Sequence, residues 1–117
     1  MAGGLEAKCH CGACSIRLSR KPDYFCNCNC SLCRTTGWRG VYFSSAEVEI
    51  TGEFDSYVRS DLDEPFLRTM RCKRCGIVTH WEPLSEPPYE RMGINANLLD
   101  PAVLKGVPVR EVDGASW

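Results

Sequence analysis

The sequence predicts a mainly β fold with very little helix. Two observations predict it. Apolar residues recur at every second position through most of the chain, the pattern of half-buried strands. Stretches with a helical period are short and confined to two places. A third observation, nine cysteines among 117 residues, predicts that metal ions supplement a modest core.

The elements follow in chain order. Ser15–Leu18 is a short strand after the first cysteine cluster. Gly40 to Ser44 places Val41 and Phe43 on one face. Val48 and Ile50 alternate with Glu47, Glu49 and Thr51, and Gly52-Glu53 reads as a turn. Phe54 to Arg59 and Phe66 to Cys72 are two more strands, separated by the acidic loop Asp61 to Pro65. Ile77 to Trp81 is the next strand. Tyr89 to Leu98 sets Met92, Ile94, Ala96 and Leu98 against Arg91, Gly93, Asn95 and Asn97. Helix is expected only at Asp100-Pro101-Ala102-Val103-Leu104, with an Asp N-cap and Pro at the first position, and for one turn at Ser45-Ala46-Glu47. Pro83 to Pro88 is a rigid loop, and Gly114 to Trp117 is expected to be a loosely held tail. No linker or repeat interrupts residues 1–117, so one zinc-binding domain is expected.

Charge narrows the function. A formal net charge of -1, with basic residues scattered, argues against nucleic-acid and membrane-surface partners. No apolar run is long enough to span a bilayer. Met-Ala-Gly-Gly-Leu-Glu-Ala-Lys has no apolar core for a secretory signal. The expected compartment is the reducing cytoplasm, where an odd number of tightly clustered cysteines reads as metal ligands rather than disulfides.

Cys9-His10-Cys11-Gly12 puts two thiols on one face of an extended segment. Two thiolates do not complete a tetrahedral zinc site. Cys72-Lys73-Arg74-Cys75-Gly76 has the spacing of a zinc knuckle, and its two cations offset the net charge of -2 that a Zn²⁺ with four thiolates carries. Cys9, Cys11, Cys72 and Cys75 are therefore expected to form a closed structural site. Buried apolar thiols are the simpler alternative for Cys9 and Cys11. In Cys26-Asn27-Cys28-Asn29-Cys30-Ser31-Leu32-Cys33-Arg34, the first three cysteines share a strand face and Cys33 returns after a turn. Three protein ligands would make an open site and four a closed one. A rival wiring joins Cys30 and Cys33 to Cys72 and Cys75 as a ribbon, which strands Cys9, Cys11 and Cys28.

The ordered set C-H-C-G, C-N-C-S-L-C-R and C-K-R-C-G closely resembles the glutathione-dependent formaldehyde-activating enzyme family, relatives of centromere protein V, from about Lys8 to Pro101. Gly37 and Gly40 after the middle motif, and Ile94 to Asp100 near the end, belong to the same resemblance. It implies the Mss4-like fold of folded antiparallel sheets stapled by zinc. It also implies two Zn²⁺ per chain. Cys9, Cys11, Cys72 and Cys75 match the structural ligands, and Cys28, Cys30 and Cys33 match the ligands of the catalytic zinc. The implied activity is of the carbon-sulfur lyase type: joining formaldehyde to glutathione to give S-hydroxymethylglutathione. Cys14 and Cys26 stand outside the seven-cysteine pattern. Cys26 lies two residues beyond Cys28, about 6–7 Å along a strand, so its sulfur would have to lean back to reach the same ion.

Arg34 and Arg39 are candidates to meet a carboxylate of glutathione, or are solvated surface arginines. His80 is either a catalytic acid-base group or a packed strand histidine, and His10 is expected beside the structural site. Asn95 and Asn97 either line a pocket or form the wet face of an edge strand. Two other functions compete with the enzyme: a zinc-stapled protein-binding module, in which Cys26 closes the second site, and a thiol-based metal or redox sensor.

Overall fold

The computed structural model describes residues 5–116. Met1 to Gly4, part of the segment read for a leader, and Trp117 of the expected tail lie outside the described residues. The strands are β1 (Leu5–Lys8), β2 (Ser15–Leu18), β3 (Phe25–Cys28), β4 (Arg39–Phe43), β5 (Val48–Thr51), β6 (Phe54–Tyr57), β7 (Leu67–Cys72), β8 (Val78–Pro83), β9 (Met92–Asn95) and β10 (Val109–Val112). The helices are α1 (Ser31–Thr36) and α2 (Pro101–Leu104), with 3-10 turns at Ser45–Glu47, Ala96–Leu98 and Gly114–Ser116. This is the mainly β arrangement the sequence predicts, consistent with the Mss4-like fold that the family resemblance implies. Among the described residues, no helix is long and apolar enough to cross a membrane.

Two sheets carry the fold. One is three-stranded, in the order β1-β2-β5; the other is seven-stranded, in the order β10-β3-β4-β9-β8-β7-β6. All pairings are antiparallel except β10 with β3. The alternation read from the sequence sets which residues turn inward. Ile16 and Leu18 from β2, Val41 and Phe43 from β4, and Ile94 from β9 are each at most 2% exposed and pack in one core, with Leu99 and Leu104 closing it from the α2 region. The Asp100 side chain caps α2 by accepting from the Ala102 N–H at 2.9 Å, as the sequence predicts. A second cluster forms where the sheets meet, around Cys9, Cys14 and Cys72, with Phe54 against it.

Four expectations change. First, Cys30 is not on the strand with Cys26 and Cys28; β3 ends at Cys28 and Cys30 is the N-cap of α1, its sulfur accepting from the Cys33 N–H at 3.4 Å. The expected three-residue turn is thus the first turn of a helix that Gly37 ends in a left-handed conformation. Second, β9 is interior, between β4 and β8, so Asn95 is not on an edge. Its buried amide donates to the Val78 carbonyl at 2.8 Å, while Asn97 is exposed. Third, both faces of β9 are buried rather than one. Fourth, residues 109–115 are tied down. β10 pairs in parallel with β3, and the Ala115 N–H donates to Asn29 Oδ1 at 2.9 Å. The asparagines between the cysteines serve this docking: Asn27 and Asn29 also reach Glu111 and Asp113.

Two cysteine clusters and a divided cavity

The first cluster assembles at the junction of the sheets. Cys9 and Cys11 follow β1, and Cys72 and Cys75 flank the turn from β7 into β8. Their four sulfurs lie within 4.8 Å of one another. The Cys9–Cys11 and Cys11–Cys72 sulfur separations are 3.6 and 3.7 Å. Four sulfurs around a tetrahedral zinc at about 2.3 Å would be about 3.8 Å apart, so the donor set fits that ion. The backbone prepares the sulfurs to carry charge. Cys72 Sγ accepts from the Arg74 and Cys75 N–H groups, each at 3.4 Å, and Cys9 Sγ accepts from the Cys14 N–H at 3.4 Å. Gly76 has φ 76, which allows the tight turn that aims those N–H groups.

The thiols titrate unequally because one thiolate discourages the next. Backbone N–H donors, first that of Cys75, bring Cys72 below its usual value. Cys11 accepts from the Ala13 N–H, which favours its thiolate, but burial and its three sulfur neighbours outweigh that and push it up to about 11. A divalent cation removes this conflict by supplying the positive charge that four crowded sulfurs lack. Cys14 stays outside the set. It is 1% exposed, its thiol donates to the Glu53 carbonyl at 3.4 Å, and burial pushes it up to about 12. It is a packed thiol. His10 is exposed on the turn beside the cluster.

The second cluster consists of Cys28, Cys30 and Cys33, again within 4.8 Å of one another. β3 supplies Cys28, and α1 with its cap supplies the other two. Among the described residues, no fourth Cys, His, Asp or Glu atom joins them, and Cys26 is not in the group. Cys26 is buried and pairs across the ladder with Gly40, beside the Tyr42 hydroxyl. Burial works against a Cys30 thiolate, but the Cys33 N–H, the Cys33 and Cys28 thiols and Arg59 outweigh it and lower the pKa. Cys33 moves the other way, raised by burial and then by the Cys30 sulfur.

Two hollows meet at this cluster. A cavity of about 340 Å³ has Cys28, Cys30 and Cys33 in its wall and continues along Trp38, Tyr42 and Trp81. A second hollow, of about 310 Å³, shares Cys30 with the first and is lined also by Asn29, Ser31, Arg34, Arg59 and Asp61. Arg59 and Phe66 belong to both.

Of the arginines proposed from sequence, Arg34 is exposed on α1 and lines the polar hollow. Arg39 lines neither hollow; its Nε donates to Asn97 Oδ1 at 2.6 Å and its guanidinium lies 5.2 Å from the Phe25 ring centre. The arginine that meets the sulfurs is Arg59, with Nη1 3.9 Å from Cys30 Sγ. Its other nitrogens grip Asp61 at 2.8 and 2.7 Å, a pairing that holds the Asp61 carboxyl down at about 2. Its i, i+2 spacing to Asp61 was visible in the sequence, but not its approach to Cys30. His80 is 2% exposed, bonded through Nδ1 to Thr79 Oγ1 at 2.8 Å and edge-on to Phe54, and lines neither hollow. Of its two readings, this is the packed strand histidine.

A family model described as glutathione-dependent formaldehyde-activating enzyme matches residues 4–111. A Halomonas elongata protein whose name repeats that description is 40% identical over 55 residues, 46% of this chain and 32% of that protein. The matched stretch is thus about a third of the relative's length. A crystal structure of a Rhodobacter sphaeroides protein is 26% identical, covers 91% of this chain and 100% of that one, and superposes with a TM-score of 0.66.

Proposed function

The chain belongs to the glutathione-dependent formaldehyde-activating enzyme family, and from that premise we propose that it catalyses addition of a glutathione thiol to an aldehyde, S-hydroxymethylglutathione formation being the simplest case. The reaction is of the carbon-sulfur lyase class. A sulfur–carbon bond forms, the carbonyl π bond opens, and the thiol proton ends on the new hydroxyl oxygen; nothing is oxidised or reduced.

One observation carries the reading: three clustered sulfurs, Cys28, Cys30 and Cys33, with no fourth protein donor among the described residues and a cavity beside them. Cys9, Cys11, Cys72 and Cys75 would hold a structural zinc, and Cys28, Cys30 and Cys33 a second zinc with three of its four positions filled by protein. Bound there, zinc would supply a Lewis acid that lowers the pKa of a neighbouring thiol. The chain's own residues bind and orient. Arg34 and Arg59 suit the two carboxylates of glutathione, and Asp61 suits its ammonium group. Holding both reactants at the junction of the hollows supplies proximity. The chain acts as one domain in this scheme, in the reducing compartment where glutathione is abundant. A non-catalytic binding module would need Cys26 as fourth ligand, and Cys26 stands outside the sulfur group.

The test is formation of the formaldehyde adduct above the uncatalysed rate, followed by exchange NMR on zinc-loaded protein. Cys26→Ala should keep both metal equivalents and the rate. Cys30→Ala should lose one equivalent and the acceleration. Loss of metal in Cys26→Ala, or no acceleration by the wild type, would move the assignment to the binding module.

A further inference from the structure

The two hollows that meet at Cys30 differ sharply in chemistry. The polar one offers Arg34, Arg59 and Asp61. The other is walled mainly by apolar and aromatic side chains, Trp38, Tyr42, Trp81, Phe66 and Leu67 among them, with Arg59 and Arg91 its charged members. Glutathione carries two carboxylates, an ammonium and two amides, and along these walls, the Tyr42 hydroxyl apart, only Arg59, Arg91, Thr36 and Thr69 offer charged or hydroxyl partners, too few to satisfy the tripeptide in a mainly apolar space. Formaldehyde is hardly larger than a water, whose share of liquid volume is about 30 Å³, whereas a cavity of about 150 Å³ already accepts benzene. Formaldehyde leaves most of the 340 Å³ of aromatic-walled space unfilled.

The sequence builds that space deliberately. Gly93 is opposite both Tyr42 and Trp81 in the ladders. The Trp81 indole lies on Gly93 so closely that a Cβ there would sit 2.0 Å from Nε1. Gly40 similarly lies under Tyr42 and Trp38, where a Cβ would meet the Tyr42 hydroxyl at 2.6 Å. Two glycines thus let three aromatic rings lie against the sheet. Tyr42 and Trp81 are tilted neighbours, with centroids 6.3 Å apart, and the Arg91 guanidinium covers Tyr42 at 4.3 Å. Phe66, 60% exposed, lines both hollows.

We propose that the site is divided, and that the aromatic cavity takes an aryl group on the aldehyde partner, so that the preferred co-substrate of glutathione is an aromatic aldehyde rather than formaldehyde. The proposal rests on the reading of the site as a glutathione-aldehyde site. The chemistry is unchanged: R–SH adds across the carbonyl of Ar–CHO to give R–S–CH(OH)–Ar, with the thiol proton on the hydroxyl oxygen. Only the group on the carbon differs, and it is this group that meets Trp38, Tyr42 and Trp81.

Two inert probes separate the parts. S-methylglutathione and S-benzylglutathione share the tripeptide and differ by the aryl ring. Equilibrium titration into zinc-loaded protein, read by calorimetry, should show the benzyl compound binding at least about tenfold more tightly, the selectivity an apolar pocket commonly gives. Trp81→Ala should remove most of that ratio and leave the S-methylglutathione affinity in place. Phe66→Ala, at an exposed position, should reduce the ratio without risk to folding. Equal affinities for the two probes, with both bound, would overturn the divided site and leave the glutathione reading standing. Failure of glutathione and both probes to bind would overturn the two together.

Discussion

Replacing Cys72 should separate the two clusters by what each does for the fold. Cys72 is 2% exposed, and its sulfur sits 3.7 Å from Cys11 Sγ, accepting two N–H groups. Cys72→Ser leaves the backbone donors a hydroxyl but removes one of four thiolates from the site that joins the β1–β2 end to the β7–β8 turn. Structural zinc at such sites contributes about 10–16 kcal/mol of apparent binding energy at neutral pH. A domain of this size is stable by only about 5–15 kcal/mol in total. Losing even half of the metal term would therefore consume most of the margin, and Cys72→Ser should be unfolded or insoluble at 25 °C. Cys33→Ser, in the other cluster, removes a half-buried candidate ligand in the first turn of a short helix. It should fold, with a melting temperature within a few degrees of wild type. Circular dichroism melts, with metal content measured on the same samples, decide the matter. A folded, zinc-replete Cys72→Ser with an unchanged melting temperature would refute the structural assignment.

Three further outcomes follow from the same geometry. A mild chelator should remove the metal of Cys28, Cys30 and Cys33 first, one equivalent leaving with the far-ultraviolet spectrum unchanged; simultaneous loss of both equivalents with unfolding would contradict two classes of site. Burial lowers the His80 pKa to about 4, so from pH 6.5 down to 4 the unfolded chain binds a proton that the folded one does not, and stability should fall on acidification through that window by up to about 3 kcal/mol; His80→Gln should show a shallower acid limb in urea titrations than wild type. Gly93→Ala should cost about 1–3 kcal/mol by overpacking, because the new methyl would displace the Trp81 indole; a change in tryptophan emission should accompany the lower melting temperature, and an unchanged melt would show the ring free to move.

Much of the fold was legible because its signals are local. Alternation in Ser15–Leu18 and from Glu47 to Thr51 is a period-two pattern; the first is a strand with those bounds, and the second is a strand from Val48, Glu47 closing the preceding turn. The α2 start was written in Asp100-Pro101. Strand β10 was not legible. Val109–Val112 has only two apolar residues, and its reason for being extended is a parallel partner 84 residues away at β3. Helix α1 was missed for a related reason: its N-cap is a cysteine sulfur, not one of the usual capping side chains.

For the candidate site, the sequence by itself determined the inventory of candidate ligands. Thiols at two- and three-residue spacings can converge on one point whatever the rest of the chain does, so the seven cysteines and their division into four and three were readable from spacing and family resemblance together. Tertiary structure alone decided what surrounds them. It took Cys30 off the strand and placed Cys26 beside Tyr42, outside the sulfur group. It brought Arg59 to Cys30 across 29 residues, sent Arg39 to Phe25 and Asn97, and buried His80. It stacked Trp81 on Gly93 and thereby opened an aromatic cavity next to a polar one. The physical reason is the range of the forces involved. Ligand spacing and strand period are properties of neighbouring residues, whereas a cavity wall is a contact between strands, and which strands meet is settled only when the whole core packs.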